Sequence, residues 1–240
     1  GFDIIGSHTE SPTFKVKSNP EMAENGYLKL NVEVYGGMIY STWLDRTLSL
    51  AGKVVYEKEG KLVSSLMNID KDLLTIANAA IHMNRTVNKD FSYNPQDNLY
   101  PIITTIKDRA QKNGYIQKLI GEELGIDPKS IIDYDLSLYD RQKGVVINDM
   151  YQIGRIDNLG SVHASLMAFV NSDSTKTNAL ILNDNEEIGS RTRTGAFSPF
   201  LGDCLKRFTL LRGGNEEDYQ IAIDNSFLIS ADQAHAIHPN

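Results

Sequence analysis

The chain has 240 residues, of which 41% are hydrophobic and 23% are charged, as is typical of globular proteins. Its formal net charge of −7 argues against nucleic acid or an anionic membrane as the main partner. No apolar run approaches the roughly 20 residues that a membrane-spanning helix needs. Because Cys204 is the single cysteine, neither an internal disulfide nor a cysteine-rich zinc site can form within the chain, which fits a reducing, cytoplasmic compartment.

The two ends of the sequence are unusual. Gly1 leads directly into the apolar run FDII, and the chain stops at Asn240 without a polar tail. Natural termini are usually polar and loosely held. We therefore expect a fragment of a longer protein that lacks N-terminal and C-terminal parts, so that the lack of a targeting signal carries no information.

The first 150 residues favour a strand-rich region with two or three helices. Alternation of apolar and polar residues predicts strands over 28–34 and 132–138. The segment GKVVYEKEGKLVSS predicts a hairpin that turns near Glu59. Apolar residues at helical spacing predict helices over 70–84 and 115–124.

Strands alternate with helices after about residue 150. Helical spacing predicts one helix within SVHASLMAFV and another along the apolar stripe that includes Cys204 and Leu205. The short apolar runs ALILN and SFLIS predict strands that are buried on both faces. Residues 2–7 have the same character. This alternation indicates a largely parallel sheet in a discontinuous α/β domain, with a second domain inserted between its parts.

Polar and charged side chains follow the predicted strands of the α/β domain. His8 follows FDIIGS, Asp157 follows YQIGRI, Glu186 and Glu187 follow ALILN, and Asp232 follows SFLIS. Sites in open α/β sheets lie beyond the carboxyl ends of the strands, so these side chains are expected to converge. Such a cluster of one imidazole and several carboxylates is electrostatically stable only around cations.

The donor set of this cluster, which contains no thiolate, suits zinc, manganese or cobalt. A set so rich in carboxylates could hold two ions about 3.5–4 Å apart with one bridging carboxylate. Neighbours on an extended segment point in opposite directions, so that one of Glu186 and Glu187 could bind metal while the other acts as a general base. Taken singly, each acid is more typical of a helix cap, a turn or solvated surface, and the spacing alone leaves both interpretations open.

Seven segments occur in an order that resembles the aspartyl aminopeptidase family of co-catalytic zinc exopeptidases: GSHTESP, YGGMIYSTWLDRTLSLAGKV, AAIHMNR, DLSLYD, RIDNLGS, NDNEEIGS and SADQAHAIHPN. The resemblance covers nearly the whole chain. It implies a zinc-exopeptidase-like three-layer α/β domain, with a mostly parallel sheet between helices, formed by residues 1–20 and a truncated second part, 148–240. It also implies a β-rich α+β dimerisation domain inserted over residues 21–147.

The resemblance further implies the roles of the metal-site residues. His8, Asp157 and Asp232 would bind one zinc ion. Asp157 would bridge to a second zinc ion, which Glu187 also binds, and Glu186 would be the general base. In the family, one more histidine ligand comes from a segment far downstream, so we expect the fragment alone to be inactive.

Four other residues receive expected roles by similarity. Glu10 stands where the family has an aspartate that orients the metal-binding histidine, and we expect it to be an equivalent. His82 matches a histidine that reaches the partner subunit's active site and stabilises the oxyanion, with a packed interface residue as the alternative. His235 and His238 are expected to support the site from behind the ligands or to be structural.

The resulting prediction is a metallo-aminopeptidase that prefers acidic N-terminal residues of peptides and uses two zinc ions per subunit, for which manganese or cobalt could substitute. We expect a homo-oligomer in which dimers assemble into a larger particle, and neither nucleic acid nor a membrane as a partner. Two alternatives stay open. One is a related metallohydrolase of other specificity, namely a neutral or basic aminopeptidase, a carboxypeptidase, a dipeptidase or a deacylase. The other is a non-catalytic scaffold that kept the fold.

Overall fold

The computed structural model describes residues 1–108 and 113–239. The strands are β1 (Phe2–His8), β2 (Thr13–Glu24), β3 (Tyr27–Tyr35), β4 (Leu48–Lys58), β5 (Lys61–Asn68), β6 (Ile102–Thr105), β7 (Ile131–Asp140), β8 (Val145–Ile147), β9 (Met150–Gln152), β10 (Thr177–Asn183) and β11 (Phe227–Ser230). The α-helices are α1 (Pro95–Asn98), α2 (Tyr115–Leu124), α3 (Ile156–Val170), α4 (Phe200–Leu211) and α5 (Glu216–Asp224). The chain divides into two compact units, residues 1–11 with 144–240 and residues 12–143.

The first unit is built on a parallel sheet in the order β10-β1-β11. Strand β1 pairs with β10 over its whole length, which places His8 opposite Asn183. Its other edge pairs with β11, with Gly6 opposite Ser230. The three carboxyl ends therefore lie at one edge of the sheet, and the predicted parallel sheet is confirmed.

Helices cover both faces of this sheet. Phe2 and Ile4 form a buried cluster on one face with Leu205 of α4. Because side chains alternate along a strand, Ser7 lies on the opposite face, where it contacts Asn158 of α3. The helix–sheet–helix arrangement predicted for the α/β domain is confirmed.

Burial in this unit is lower than the apolar runs predicted. All four residues of β11 are exposed, and the apolar residues 179–181 of β10 are only half-buried. In the described part of the chain β11 is an edge strand that pairs only with β1. Because β10 is only half-buried and β11 is exposed, the prediction that these strands are buried on both faces is wrong. Cys204 is also exposed, whereas Leu205 is buried, because only a narrow stripe of α4 faces the sheet.

The segment YQIGRI, which precedes Asp157, does not join the parallel sheet as predicted. Strands β8 and β9 form a separate antiparallel hairpin, and every residue in them is exposed. The hairpin turns at Asn148, whose φ of 55° suits a two-residue turn. The apolar residues here are therefore paired with each other rather than with the parallel sheet. Asp157 lies instead in the first turn of α3.

The second unit contains a six-stranded antiparallel sheet in the order β5-β4-β7-β2-β3-β6. The β4–β5 hairpin turns at Glu59 and Gly60, which have positive φ values of 53° and 73°. Strands β3 and β7 and this hairpin confirm the predictions from period-two alternation. The inward-facing side chains, among them Leu30, Leu50 and Leu136, are fully buried in the core.

One of the two helices predicted in the second unit is confirmed. Helix α2 buries Ile116, Leu119 and Ile120 on one face. It ends at Gly125, whose left-handed conformation, with a φ of 65°, lets its N–H donate to the carbonyl of Gly121. Glycine tolerates this conformation because it has no Cβ.

The helix predicted over residues 70–84 does not form. Leu74 and Ile76 make isolated β-bridges and are buried at 5% and 0% exposure, while residues 81–90 consist almost entirely of turns. The apolar residues satisfy a two-residue period as well as a helical one. Pairing with neighbouring extended segments provides both their hydrogen bonds and their burial, and this tertiary interaction overrides the helical pattern.

The compact units place residues 12–20 with the antiparallel sheet, through strand β2. The division into domains at residues 20 and 147 stays a prediction. Among the described residues, no helix is both long enough and apolar enough to cross a lipid bilayer.

Candidate metal centre

His8 is the last residue of β1, and its imidazole ring is almost completely buried. Its Nδ1 lies 3.1 Å from the main-chain oxygen of Glu10, a distance at which the Nδ1–H donates a hydrogen bond. This bond leaves Nε2 as the nitrogen that faces the acidic side chains. Nε2 lies 3.5 Å from a carboxylate oxygen of Asp157 and 3.5 Å from one of Asp232.

Asp157 and Asp232 reach His8 from two different elements. Asp157 lies in the first turn of α3, where its own backbone is not helical, and the peptide bond that follows it is cis. Asp232 follows the end of β11 by two residues. One ligand atom from each of these three residues lies within 4.8 Å of the other two. Both carboxylates are more than half exposed, so the cluster is open to solvent on its acidic side.

Glu186 and Glu187 begin a short 3-10 helix just after β10. Asn185 precedes them in the left-handed conformation, and its side-chain oxygen accepts hydrogen bonds from Thr192 and Thr194 at 2.6 and 3.0 Å. This anchored turn places a carboxylate oxygen of Glu186 3.8 Å from His8 Nε2. The predicted proximity of Glu186 to the histidine is therefore present in the structure.

Glu10 joins the two sides of the cluster. One of its carboxylate oxygens lies 3.4 Å from His8 Nδ1, and the other accepts a hydrogen bond of 2.9 Å from the backbone N–H of Glu187. The shorter contact of the histidine ring is with the main-chain oxygen of Glu10, not with its carboxylate. The side chain of Glu10 therefore contacts the histidine ring with one oxygen and the segment that carries Glu186 and Glu187 with the other.

The titration behaviour of the cluster reflects its excess of negative charge. Burial by itself lowers the pKa of His8. The charge of Glu10, the hydrogen bond to the Glu10 main chain and the charges of Glu186 and Asp232 outweigh burial and raise the pKa above its ordinary value of 6.5. Burial, followed by the charges of Asp157 and Glu186, raises the pKa of Glu187 to about 7. Both shifts mean that the site favours bound positive charge.

The spacing of the ligand atoms fits a zinc ion. Two ligand atoms about 2.1 Å from a tetrahedral zinc ion lie about 3.4 Å from each other. The two distances of 3.5 Å from His8 Nε2 match this spacing and are longer than ordinary N–H···O hydrogen bonds. One imidazole nitrogen with carboxylate oxygens is also a donor set that zinc accepts. His8, Asp157 and Asp232 could therefore hold zinc.

The other predicted site residues, three histidines outside the cluster, are exposed. His82 is exposed within the turns of the second unit. His235 and His238 are exposed on the stretch after Asp232, and their supporting role stays a prediction.

Pattern analysis did not single out Ser7 or Asn158, although both are buried directly beside ligand candidates. Their positions in the sequence, each directly next to a candidate ligand, could have pointed to them.

Comparison with known proteins gives a consistent result. The sequence profile of the family described as "Aminopeptidase I zinc metalloprotease (M18)" matches residues 1–240. A protein of Clostridium acetobutylicum, described as "Probable M18 family aminopeptidase 2", is 51% identical over 247 residues, which cover 100% of this chain and 57% of that protein.

Solved structures share the fold. A chain of the structure described as "Cryo-EM structure of the Ape4 and Nbr1 complex" has a TM-score of 0.90 and 34% identity, over 100% of this chain and 50% of that one. A chain of the "S. cerevesiae mApe1 dodecamer" has a TM-score of 0.78 at 24% identity, over 100% of this chain and 56% of that one, a likeness of fold alone.

These relatives are longer than the present sequence. The chain spans 57% of the length of the Clostridium protein. Within this span the family profile extends from the first residue to the last. The same span contains His8, Asp157 and Asp232, whose ligand atoms converge at the edge of the parallel sheet. The chain belongs to the M18 family of zinc metalloproteases.

Proposed function

We propose that the full-length protein that contains this chain is a zinc-dependent aminopeptidase, which hydrolyses the N-terminal peptide bond of peptides. The observation that carries the proposal is the approach of the Asp157 and Asp232 carboxylates to within 3.5 Å of His8 Nε2. The relatives described as aminopeptidases support the class of reaction.

Each residue of the cluster has a distinct role in this proposal. His8, Asp157 and Asp232 would hold one zinc ion, and Asp157 with Glu187 would hold a second. When bound, zinc supplies Lewis acidity that polarises a scissile carbonyl and lowers the pKa of water. Glu186 would take a proton from the attacking water and deliver it to the leaving amine. The family resemblance supplies one further histidine ligand from beyond residue 240.

The proposal extends to a preference for acidic N-terminal residues. Its support is the ordered set of motifs that resembles aspartyl aminopeptidases. Recognition of a carboxylate side chain needs a cationic partner in the side-chain pocket. If that partner is absent, the same metal centre would act on neutral or basic N-terminal residues instead.

We also propose that the full-length protein assembles into a homo-oligomer. One structural relative is described as a dodecamer. In the second unit, Leu62 and Leu66 are 71% and 84% exposed on β5, which is an edge strand. Exposed apolar side chains on an edge strand favour an interface. In such an assembly His82 would act at the active site of a partner subunit. We also propose a cytoplasmic location for the full-length protein.

The first experiment measures zinc per chain and hydrolysis in one preparation of the full-length protein. Amide substrates of Asp, Glu, Lys and Leu test the side-chain preference, and versions with a blocked amino group test the need for a free N-terminus. Two zinc ions with turnover of only the unblocked Asp and Glu substrates support the whole proposal. Preference for Lys or Leu would overturn the acidic specificity, and turnover of blocked substrates would overturn the aminopeptidase assignment. Absence of both zinc and turnover would favour a non-catalytic scaffold.

A further inference from the structure

The three candidate ligands of the first zinc ion each have a neighbour in sequence that takes part in one buried hydrogen-bond network. Ser7 precedes His8, Asn158 follows Asp157, and Ala231 precedes Asp232. We call Ser7, Asn158 and the main chain of Ala231 the ligand clamp.

Three hydrogen bonds connect the members of the ligand clamp. The side-chain nitrogen of Asn158 donates to Ser7 Oγ at 2.9 Å and to the carbonyl oxygen of Ala231 at 3.0 Å. The hydroxyl of Ser7 donates to the same carbonyl at 3.0 Å. In addition, the N–H of Ala231 donates to the carbonyl of Gly6 at 2.7 Å. Each member thus contacts both of the others.

The two side chains of the ligand clamp are buried, whereas the side chains of two of the ligands are exposed. Ser7 and Asn158 are 6% and 0% exposed, but the side chains of Asp157 and Asp232 are 57% and 56% exposed. A buried hydrogen bond does not compete with solvent, so it fixes the positions of the groups that it joins. The residue next to each exposed ligand is therefore part of this network of hydrogen bonds.

Burial of the Asn158 side chain has an energetic cost. The side-chain oxygen of Asn158 is buried and has no hydrogen-bond partner among the described residues. An apolar side chain would avoid this cost, but it could not donate to Ser7 and Ala231. The amide of Asn158 supplies the two donated bonds that an apolar side chain would lose.

We propose that Ser7 and Asn158 are positioning residues that hold the backbone segments of His8, Asp157 and Asp232 in a zinc-binding arrangement before zinc arrives. This inference rests on the proposed function, because it presupposes that these three residues bind zinc. The clamp acts through the ligands and touches neither the metal nor the substrate.

A pair of matched serine variants tests the clamp in the full-length protein. Ser7→Ala removes the hydroxyl that accepts from Asn158 and donates to Ala231, and leaves the direct bond of Asn158 with Ala231 in place. The control is Ser226→Ala at the other end of the same sheet, where Ser226 Oγ accepts from the N–H of Phe2 at 2.8 Å and donates to Ala222 at 2.6 Å. Both substitutions remove a hydroxyl that joins β1 to a neighbouring segment, but only one lies beside the ligands.

The measurements are zinc affinity, by competition with a chelating dye, and the thermal midpoint of the metal-free protein. We expect both variants to lower the thermal midpoint. Only Ser7→Ala should weaken zinc binding, by about 10-fold, the lower end of losses seen when groups behind metal ligands are removed. Ser7→Thr, which restores a hydroxyl, should recover most of the affinity.

Unchanged zinc affinity in Ser7→Ala, or equal losses in Ser7→Ala and Ser226→Ala, would overturn the clamp and leave Ser7 a purely structural residue. Failure of the proposed function is seen separately. If the unmodified full-length protein binds no zinc, both proposals fail. If it binds zinc and hydrolyses peptides while Ser7→Ala is neutral, only the clamp fails.

Discussion

The carboxylate of Glu10 accepts a hydrogen bond of 2.9 Å from the backbone N–H of Glu187, 177 residues later in the chain. This bond ties the segment after β1 to the turn after β10. The pairing of His8 with Asn183 brings the two segments together, because it places the ends of both strands side by side. Glu10 therefore supports the histidine through its main chain and the glutamate pair through its side chain.

The first prediction concerns this bond. Glu10→Ala leaves the N–H of Glu187 without its acceptor, which costs about 1–3 kcal/mol in a partly buried position. We expect a lower thermal midpoint and weaker zinc binding, measured in the full-length protein. Glu10→Gln is the control, since its amide oxygen can accept the same bond. If alanine and glutamine behave alike in both measurements, the hydrogen bond has no role in positioning Glu187.

The second prediction separates catalysis from metal binding. Glu186→Gln removes the proposed general base but keeps the shape of the side chain. We expect the kcat of the full-length protein to fall by about 100-fold to 10,000-fold with zinc content unchanged. The matched control is Glu217→Gln, because Glu217 is an exposed acid in the first turn of α5. Full activity in Glu186→Gln would rule out the proposed base.

The third prediction concerns the stability of the metal-free protein at different pH values. The pKa of Glu187 is raised from 4.5 to about 7, and that of His8 is raised above 6.5. The folded state therefore binds more protons than the unfolded state between about pH 4.5 and 7. The free energy of unfolding should decrease as the pH rises through this range. Denaturant titrations at several pH values measure it.

Zinc binding should show the opposite trend with pH. Zinc competes with the protons on Glu187 and His8, so its affinity should increase as the pH rises towards and through 7.

Glu187→Gln is the control for the pH dependence of stability, because it should reduce that dependence while leaving the contribution of His8. A free energy of unfolding that rises from pH 5 to 7 in the metal-free protein would contradict the assigned shifts.

The fourth prediction tests the proposed role of His82 across the subunit interface. His82→Ala should lower kcat while the oligomer remains intact, because the substitution removes a group that would stabilise the developing oxyanion. Light scattering and steady-state kinetics on the full-length protein measure the two properties. His163→Ala is the control, since His163 is exposed on α3 and has no assigned role. Loss of the oligomer in His82→Ala would favour a packing role.

The fifth prediction concerns the core of the first unit. Leu205 is 7% exposed and packs with Phe2 and Ile4. Leu205→Ala should lower the free energy of unfolding by about 2–5 kcal/mol, the usual cost of a buried leucine. Leu211→Ala, in the same helix but 83% exposed, should change it by less than about 0.5 kcal/mol. Equal effects in denaturant titrations would contradict this packing.

Elements whose periodicity allows a single interpretation are predictable from the sequence. Strand β7 alternates without interruption, the β4–β5 hairpin has Gly60 at its turn, and α2 has a helical stripe followed by Gly125. The sequence also nominated His8, Asp157, Glu186 and Asp232. In the structure each of these three acids has a carboxylate oxygen within 4 Å of His8 Nε2. His8, Glu186 and Asp232 end or follow parallel strands, whose carboxyl ends lie at the same edge of the sheet, whereas Asp157 reaches the site from the first turn of α3.

Segments that satisfy two periods depend on tertiary packing, and so do the contacts behind the ligands. Residues 70–84 have apolar positions that suit a helix, yet Leu74 and Ile76 lie in β-bridges as extended chain and are buried there. The bonds of Glu10 with Glu187 and of Asn158 with Ser7 join residues 177 and 151 positions apart. No local pattern encodes such a bond, because its length depends on the register of β1 with its neighbours and on the packing of α3.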